Sequence, residues 1–167
     1  MKDMTKQNLK AAFAGESQAC MKYTIFADKA EREGFPEVAK LFRAIAYAER
    51  VHATNHLRVL EGIGTTAENL KEAFGGENYE NVEMYPAFDV VAKLQEEKAA
   101  IRSIQYALEA EKIHEKMYCE ARDKVVDGND IEAQPVHVCP VCGHTVIGDA
   151  PDECPVCKLK KEKYVKF

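Results

Sequence analysis

Two Glu-x-x-His pairs constrain the fold of this chain more than any other feature of its sequence. Glu49 and His52 form the first pair, and Glu111 and His114 form the second. A spacing of three residues on an α-helix places both side chains on one face, with Cβ atoms about 5–6 Å apart. Each pair continues the apolar stripe of a long helical pattern, so its ionisable groups face the predicted core. Because an isolated buried carboxylate is costly, the pattern predicts a bound metal.

The chain repeats this arrangement in two halves. In each half, a helix with an inward glutamate, Glu16 or Glu77, precedes the helix with the Glu-x-x-His pair. Two Glu-x-x-His helices and one glutamate from each of two further helices form the ligand pattern of di-iron and di-manganese bundles. Carboxylate and imidazole ligands suit iron or manganese better than tetrahedral zinc. The alternative, a solvated charged face, does not explain why the positions match in the two halves.

Three further residues lie near these candidate ligands in the pattern. Glu80 follows Glu77 by one helical turn and offers a spare carboxylate, suited to exchange with a histidine when the metals change oxidation state. Tyr23 and Tyr85 lie close to Glu16 and Glu80 in sequence and are placed to hydrogen-bond a ligand carboxylate, as residues around metal sites often do. From spacing alone, an ordinary core position explains both tyrosines equally well.

Helical periodicity covers most of the chain, and the composition changes near residue 128. We predict a helical domain over residues 1–130 and a small β-rich domain over residues 135–167. The fold class is therefore mainly α. The predicted helices span residues 5–33, 36–62, 66 to a boundary at 94–98, and 98–126, with a kink at Pro86.

The link between the second and third predicted helices is short. About four residues reach at most roughly 14 Å, whereas a helix of ~25 residues is about 37 Å long. The link therefore cannot cross a bundle to make the second and third helices parallel, as bundles with one crossover connection require. This predicts a domain swap, in which the first two helices of one chain pack with the last two of another.

Four of the six cysteines form two Cys-x-x-Cys knuckles near the end of the chain. These are Cys139, Cys142, Cys154 and Cys157. Two such knuckles in a short β-rich segment indicate one tetrahedral metal rather than a disulfide framework. A domain this small usually needs such a metal to fold. The ligands alone leave zinc and iron open.

Composition excludes several classes of function. A formal net charge of -5 gives no electrostatic support for nucleic-acid binding. No apolar run is long enough to cross a bilayer. The first residues lack the apolar core of a secretion signal, so we expect a cytoplasmic protein.

The motifs together resemble those of the rubrerythrin family, over nearly the whole chain and in the same order. The first ligand segment of that family is similar to Phe13-Ala-Gly-Glu16-Ser-Gln-Ala. The later segments are similar to Glu49-x-x-His52, Gly76-Glu77-Asn-Tyr-Glu80 with Met84-Tyr85-Pro86, and Glu111-x-x-His114. The tail, with Cys-Pro-x-Cys-Gly and Cys-Pro-x-Cys, resembles the rubredoxin-like domain of the family.

The resemblance implies a ferritin-like four-helix bundle with a carboxylate-bridged, non-haem di-iron site, joined to a mononuclear Fe(Cys)4 centre. It implies an oxidoreductase of oxidative-stress defence that reduces hydrogen peroxide to water, with electrons from a rubredoxin-type donor. Tyr23 and Tyr85 become partners of the iron ligands, and Glu80 becomes the carboxylate that exchanges with His52. A homodimer or higher homo-oligomer is also implied.

Two other functions would use some or all of the same candidate ligands. A ferritin-like iron oxidation or storage protein would share the di-iron chemistry but would assemble into a large hollow particle. A zinc-ribbon adaptor with a helical interaction domain would bind one zinc and no iron. Metal content and native mass separate the three.

Overall fold

Four long helical segments precede a small sheet, in the order that the sequence predicts. The computed structural model describes all 167 residues. Its elements are α1 (Asp3–Arg32), α2 (Pro36–Val59), α3 (Thr66–Tyr79), a π-helical turn (Glu80–Met84), α4 (Tyr85–Leu94), α5 (Lys98–Val126), β1 (Val136–Val138), β2 (Thr145–Ile147), a 3-10 turn (Lys161–Lys163) and β3 (Val165–Lys166). None of these helices combines the length and the apolar character that crossing a membrane requires.

The chain divides into two units, Met1–Gly64 and Thr65–Phe167. The first unit is an antiparallel hairpin of α1 and α2. Gly34 forms the turn with a φ of 83°, a left-handed conformation that glycine adopts without strain. The Phe35 N–H then donates to the Ala30 carbonyl at 2.9 Å and closes α1. Pro36 starts α2, where its missing N–H costs no hydrogen bond.

The seam of this hairpin consists of small side chains. Its buried residues are Ala27, Ala30, Ala39, Ala46 and Ala53. The larger apolar residues that we expected in the core, Val38 and Ile45, remain 46% and 41% exposed. Two helices share only one seam, so the adjoining apolar face of α2 has no partner within the hairpin.

The second unit begins with a capping box that fixes the start of α3. The Thr65 N–H donates to Glu68 Oε2 at 2.7 Å, and the Glu68 N–H donates to Thr65 Oγ1 at 3.4 Å. α3 and α5 run antiparallel, with the Arg122 guanidinium 5.2 Å from the Phe74 ring centroid. The boundary between α4 and α5 lies at residues 95–97, inside the predicted range.

Pro86 interrupts the third helical segment in a specific way. The segment does not end there but widens into the π turn, in which the Tyr85 N–H donates to the Glu80 carbonyl. Pro86 lies in the first turn of α4, where proline is tolerated because the N–H that it lacks would have no partner within that helix. At the position of the predicted kink, the structure has a π turn followed by a new α-helix.

The last 33 residues form an antiparallel sheet in the order β2-β1-β3. Val136 pairs with Ile147, and Val138 pairs with both Thr145 and Val165. Its core contains Cys139, Cys142 and Cys154, against which Tyr106 of α5 packs. The sheet therefore lies against α5 within the same unit.

Replacing Thr65 with alanine should lower the free energy of unfolding of the second unit by about 1 kcal/mol, because the capping box then loses its side-chain acceptor. Urea unfolding followed by circular dichroism measures the change. The neighbouring Thr66→Ala variant, which leaves the cap intact, should stay within about 0.5 kcal/mol of the parent. Equal effects of the two substitutions would contradict the role of the cap.

Candidate metal centres

The first unit brings Glu16, Glu49 and His52 together; we call these residues the first triad. His52 Nδ1 lies 2.9 Å from Glu49 Oε2 and 3.9 Å from Glu16 Oε1. One ligand atom from each side chain falls within 4.8 Å of the others, a spacing suited to one metal ion. Glu49 is the most buried side chain of the three, 17% exposed.

The second unit repeats this geometry with Glu77, Glu111 and His114, the second triad. His114 Nδ1 lies 2.7 Å from Glu111 Oε2 and 4.0 Å from Glu77 Oε2. Its ligand atoms also fall within 4.8 Å of one another. The exposed fractions of its side chains are lower than in the first triad: 19% for Glu77, 15% for Glu111 and 27% for His114.

Crowded carboxylates perturb the ionisation of the second triad. Burial, followed by the hydrogen bond and the negative charge of Glu111, raises the pKa of Glu77 to about 8. Burial and the Glu111 charge also raise the pKa of Glu80. Both shifts express the cost of holding several anions in a half-buried site without a cation. A metal ion would remove that cost.

The predicted tyrosines have different surroundings. Burial and the charges of Glu80, Glu111 and Glu77 raise the pKa of the Tyr85 phenol, so this residue belongs to the second triad's environment. The Tyr23 ring packs against Phe26 and Phe42 at centroid distances of 6.3 Å and 6.1 Å. Tyr23 therefore sits in an aromatic cluster of the α1–α2 hairpin.

Glu115 anchors the π turn to α5, which the sequence analysis did not anticipate. Its two carboxylate oxygens accept hydrogen bonds from Asn78 and Asn81, each at 2.7 Å. These bonds lower the pKa of Glu115. Asn78 precedes Glu80 and Asn81 follows it, so the anchor holds the backbone on both sides of that carboxylate. The two asparagines lie three residues apart, a helical spacing that is the only sequence signal of this contact.

The four cysteines of the knuckles converge in the small sheet domain. Cys139 Sγ lies 3.4 Å from Cys157 Sγ, and Cys142 Sγ lies 3.5 Å from Cys154 Sγ. A tetrahedron with metal–sulfur bonds of about 2.3 Å has sulfur–sulfur edges of about 3.8 Å. The four thiols are therefore arranged closely enough to enclose one ion.

Backbone amides prepare this cluster for negative charge. Burial alone would raise the pKa of Cys154, but N–H donors from Cys157 and Val156 and the Tyr164 hydroxyl together lower it to about 6. Burial raises the pKa of Cys142. A thiolate is the form that binds metal, so these donors favour the metal-binding form of Cys154.

A hydrogen-bonded contact joins the sheet domain to the second triad. His114 Nε2 lies 2.8 Å from Thr145 Oγ1, and the Thr145 hydroxyl donates to the Gly143 carbonyl at 2.9 Å. Gly143 directly follows the first knuckle and lies 3.5 Å from Ala110 of α5, measured from an ideal Cβ position. Periodicity and spacing give no sign of this contact, because it joins β2 to α5 and its two residues are 31 positions apart in the sequence.

Comparison with known proteins gives two family matches along the chain. A family model described as rubrerythrin matches residues 7–121, and one described as the rubredoxin-like domain of rubrerythrin matches residues 137–165. Rubrerythrin-2 of Clostridium acetobutylicum is 40% identical over 98% of this chain and 97% of its own length. Nigerythrin of Nitratidesulfovibrio vulgaris is 34% identical over 98% of this chain and 86% of its own.

A solved structure supports the same relationship. The fully reduced, all-ferrous state of nigerythrin matches with a TM-score of 0.59 and 30% identity, covering 98% of this chain and 86% of the nigerythrin chain. The predicted fold class, four helices with a small rubredoxin-like β-rich domain, is confirmed.

The donor sets agree with the cofactors of this family. Two carboxylate–histidine triads fit a di-iron site, and four clustered thiols fit a rubredoxin-like Fe(Cys)4 centre. The predicted cofactors are thus confirmed for the family and match the side chains present here. This chain belongs to the rubrerythrin family.

Proposed function

We propose that this protein is a non-haem di-iron peroxidase, which reduces hydrogen peroxide to water with electrons passed through its Fe(Cys)4 centre. The observation that carries the proposal is the presence, in one chain, of two matching carboxylate–histidine triads and a four-thiol cluster. A triad pair without the thiols would suit iron oxidation or storage equally well. The thiol cluster adds a one-electron carrier, which a reductase needs.

We assign one metal to each triad. Glu16, Glu49 and His52 hold one iron, and Glu77, Glu111 and His114 hold the other. Glu49 and Glu111 are the most buried carboxylates of their triads, and each would contribute to holding both ions. Iron held by these residues would supply the two electrons that break the O–O bond of peroxide.

Three residues complete the site in this proposal. Glu80, whose pKa is raised by burial and then by the nearby Glu111 charge, supplies the carboxylate that exchanges with His52. Tyr85 lies within the field of the same carboxylates and hydrogen-bonds a ligand, orienting it. Tyr23 takes the corresponding role in the first unit, whose helices α1 and α2 carry the first triad.

The stoichiometry of the reaction defines how many electrons and protons the site must receive. One peroxide takes up two electrons and two protons and yields two waters. Residues 135–167 form the electron-delivering domain, with Cys139, Cys142, Cys154 and Cys157 holding a single iron that carries one electron at a time. Residues 1–130 form the catalytic domain. The outside reductant is a rubredoxin-type donor, and the reducing cytoplasm is the compartment in which free thiols persist.

We further propose that the complete site forms between two copies of the chain. Each unit holds one triad, and the six residues that join α2 to α3, Leu60–Thr65, reach at most about 20 Å. α2 itself, with 24 residues, is about 36 Å long. The link is too short to return α3 to the start of α2, and the exposed Val38 and Ile45 offer an apolar face for a second copy. A domain-swapped homodimer satisfies both conditions.

Iron-loaded protein should contain about three irons per chain, and the chemically reduced form should consume peroxide with two electrons for each O–O bond. Metal analysis, visible absorption and stopped-flow peroxide addition measure this. Slow peroxide reduction together with the native mass of a large hollow particle would instead support iron storage. One bound zinc per chain and no iron would contradict both the peroxidase and the storage function.

The same assay separates the two centres. Glu80→Ala should slow peroxide reduction at least tenfold while the thiolate absorption stays unchanged. Cys142→Ser should stop reduction by the external donor but leave the helices folded. Full turnover in Glu80→Ala would refute the exchange role, and full turnover in Cys142→Ser with the donor would refute the relay.

The stability of the metal-free protein should fall as pH rises from about 4.5 to about 8. Folded Glu77 binds its proton more tightly than the unfolded chain does, so stability is highest below its ordinary pKa and is lost toward pH 8. Relative to wild type, metal-free Glu77→Gln should be more stable at the upper end by on the order of 2 kcal/mol, about half of what the full shift would give. Urea unfolding across this range measures the difference.

Glu72→Gln, an exposed change on the same helix, is the matched control and should leave the pH dependence unaltered. Ferrous iron should remove the effect in wild type, because the cation replaces the proton. Parallel pH curves for wild type and Glu77→Gln would contradict the assigned carboxylate crowding.

The domain swap makes a quantitative prediction for mixed dimers. Glu49→Ala and Glu111→Ala each damage every site in a homodimer. In a swapped heterodimer, one site receives both substitutions and the other receives neither. After co-refolding, about one quarter of all sites should bind the iron pair, since about half of the dimers are mixed. Absorption of the di-iron pair reports the fraction, and a fraction near zero would show that all six ligands come from one chain.

A further inference from the structure

We infer that Thr145 is a positioning residue of the second triad, and that it ties metal binding at His114 to the docking of the rubredoxin-like domain. The inference rests on the proposed role of His114 as a metal ligand. Thr145 lies on β2, outside the helices that supply the triads. It is nevertheless nine-tenths buried, 9% exposed, and lies at hydrogen-bond distance from the His114 ring.

The hydrogen bonds of Thr145 show which nitrogen of the His114 ring carries a proton toward it. A threonine hydroxyl has one proton, and Thr145 donates it to the Gly143 carbonyl at 2.9 Å. Thr145 Oγ1 is then an acceptor toward His114 Nε2, 2.8 Å away. His114 therefore carries a proton on Nε2, which leaves Nδ1 as the ring nitrogen that a metal would bind.

Nδ1 faces the remaining ligands, and a metal bound there would displace the proton of the hydrogen bond between Nδ1 and Glu111. Nδ1 lies on the side of Glu111 and Glu77, at 2.7 Å and 4.0 Å from their carboxylate oxygens. A neutral imidazole binds metal through its unprotonated nitrogen. The contact with Thr145 therefore holds the Nε2 proton in place and orients Nδ1 toward a metal at the second triad.

The first triad has no such partner in its own unit, which makes the contact informative. His52 is 53% exposed and makes its side-chain contacts with Glu49 and Glu16. His114 is 27% exposed and is held from both ring nitrogens. Because the holding group belongs to the rubredoxin-like domain, metal affinity at the second triad depends on that domain being folded and docked.

The first test needs no variant. The protein is prepared with zinc in the four-thiol site and no metal in the triads. Long-range 1H–15N correlation of its histidine rings at neutral pH should show His114 protonated on Nε2. A proton on Nδ1 with Nε2 bare would overturn the inference outright. Zinc in the four-thiol site keeps the small domain folded and diamagnetic for this measurement.

The second test uses Thr145→Val, which keeps the side-chain shape but removes the acceptor. It should lose the tautomer preference and weaken ferrous or cobaltous binding at the second triad by about 10–100-fold, the usual cost of losing such a partner. Thr145→Ser should restore both to within about threefold of wild type. Unchanged affinity and tautomer in Thr145→Val would overturn the inference.

Two controls separate the possible failures. Thr24→Val removes an exposed hydroxyl that donates to the Cys20 carbonyl on α1 and should change neither readout. Unaltered absorption of the thiolate-bound iron in Thr145→Val shows that the small domain remains folded. If His114→Ala binds metal as tightly as wild type, the assignment of His114 as a ligand fails, whatever Thr145 does.

Discussion

Repulsion between carboxylates is the interaction on which the rest of this structure depends. Glu77, Glu80 and Glu111 are held close enough that burial and mutual charge raise the pKa of two of them. A divalent cation offsets that cost, because it supplies the opposite charge and fills the ligand geometry at once. The metal is thus part of the folding energetics of the helices as well as of their chemistry.

Local rules account for much of the architecture. The helical period, with Gly34 followed by Pro36, predicts where α1, α2 and α3 begin or end, and the ends observed lie within a few residues of those predicted. The spacing of three in each Glu-x-x-His pair likewise predicts which side chains meet. Each of these signals involves residues within one turn of one helix, so it can be recognised from the sequence alone.

Contacts between distant segments were beyond such rules. Helical periodicity places Ala27 and Ala30 on the inward face of α1, but the alanines that α2 contributes to the seam were not expected, because larger residues on the adjoining face gave the stronger apolar signal. The anchor that Glu115 provides and the hydroxyl of Thr145 beside His114 depend on how α5 meets other elements. Nothing in the spacing of these residues distinguishes them from ordinary surface groups, so only coordinates could place them.

The π turn sets the angular phase of everything that follows it in the third helical segment. In an unbroken α-helix, Tyr85 would lie about 80° around the axis from Glu77, since eight residues advance by about 100° each. The π turn absorbs about one residue of that rotation and brings the two side chains to within about 20° of each other. The phenol thereby shares the face of the carboxylates, as its raised pKa indicates. Removing one residue from Glu80–Met84 would restore a regular helix and keep this alignment, whereas straightening the turn at constant length would rotate Tyr85 away.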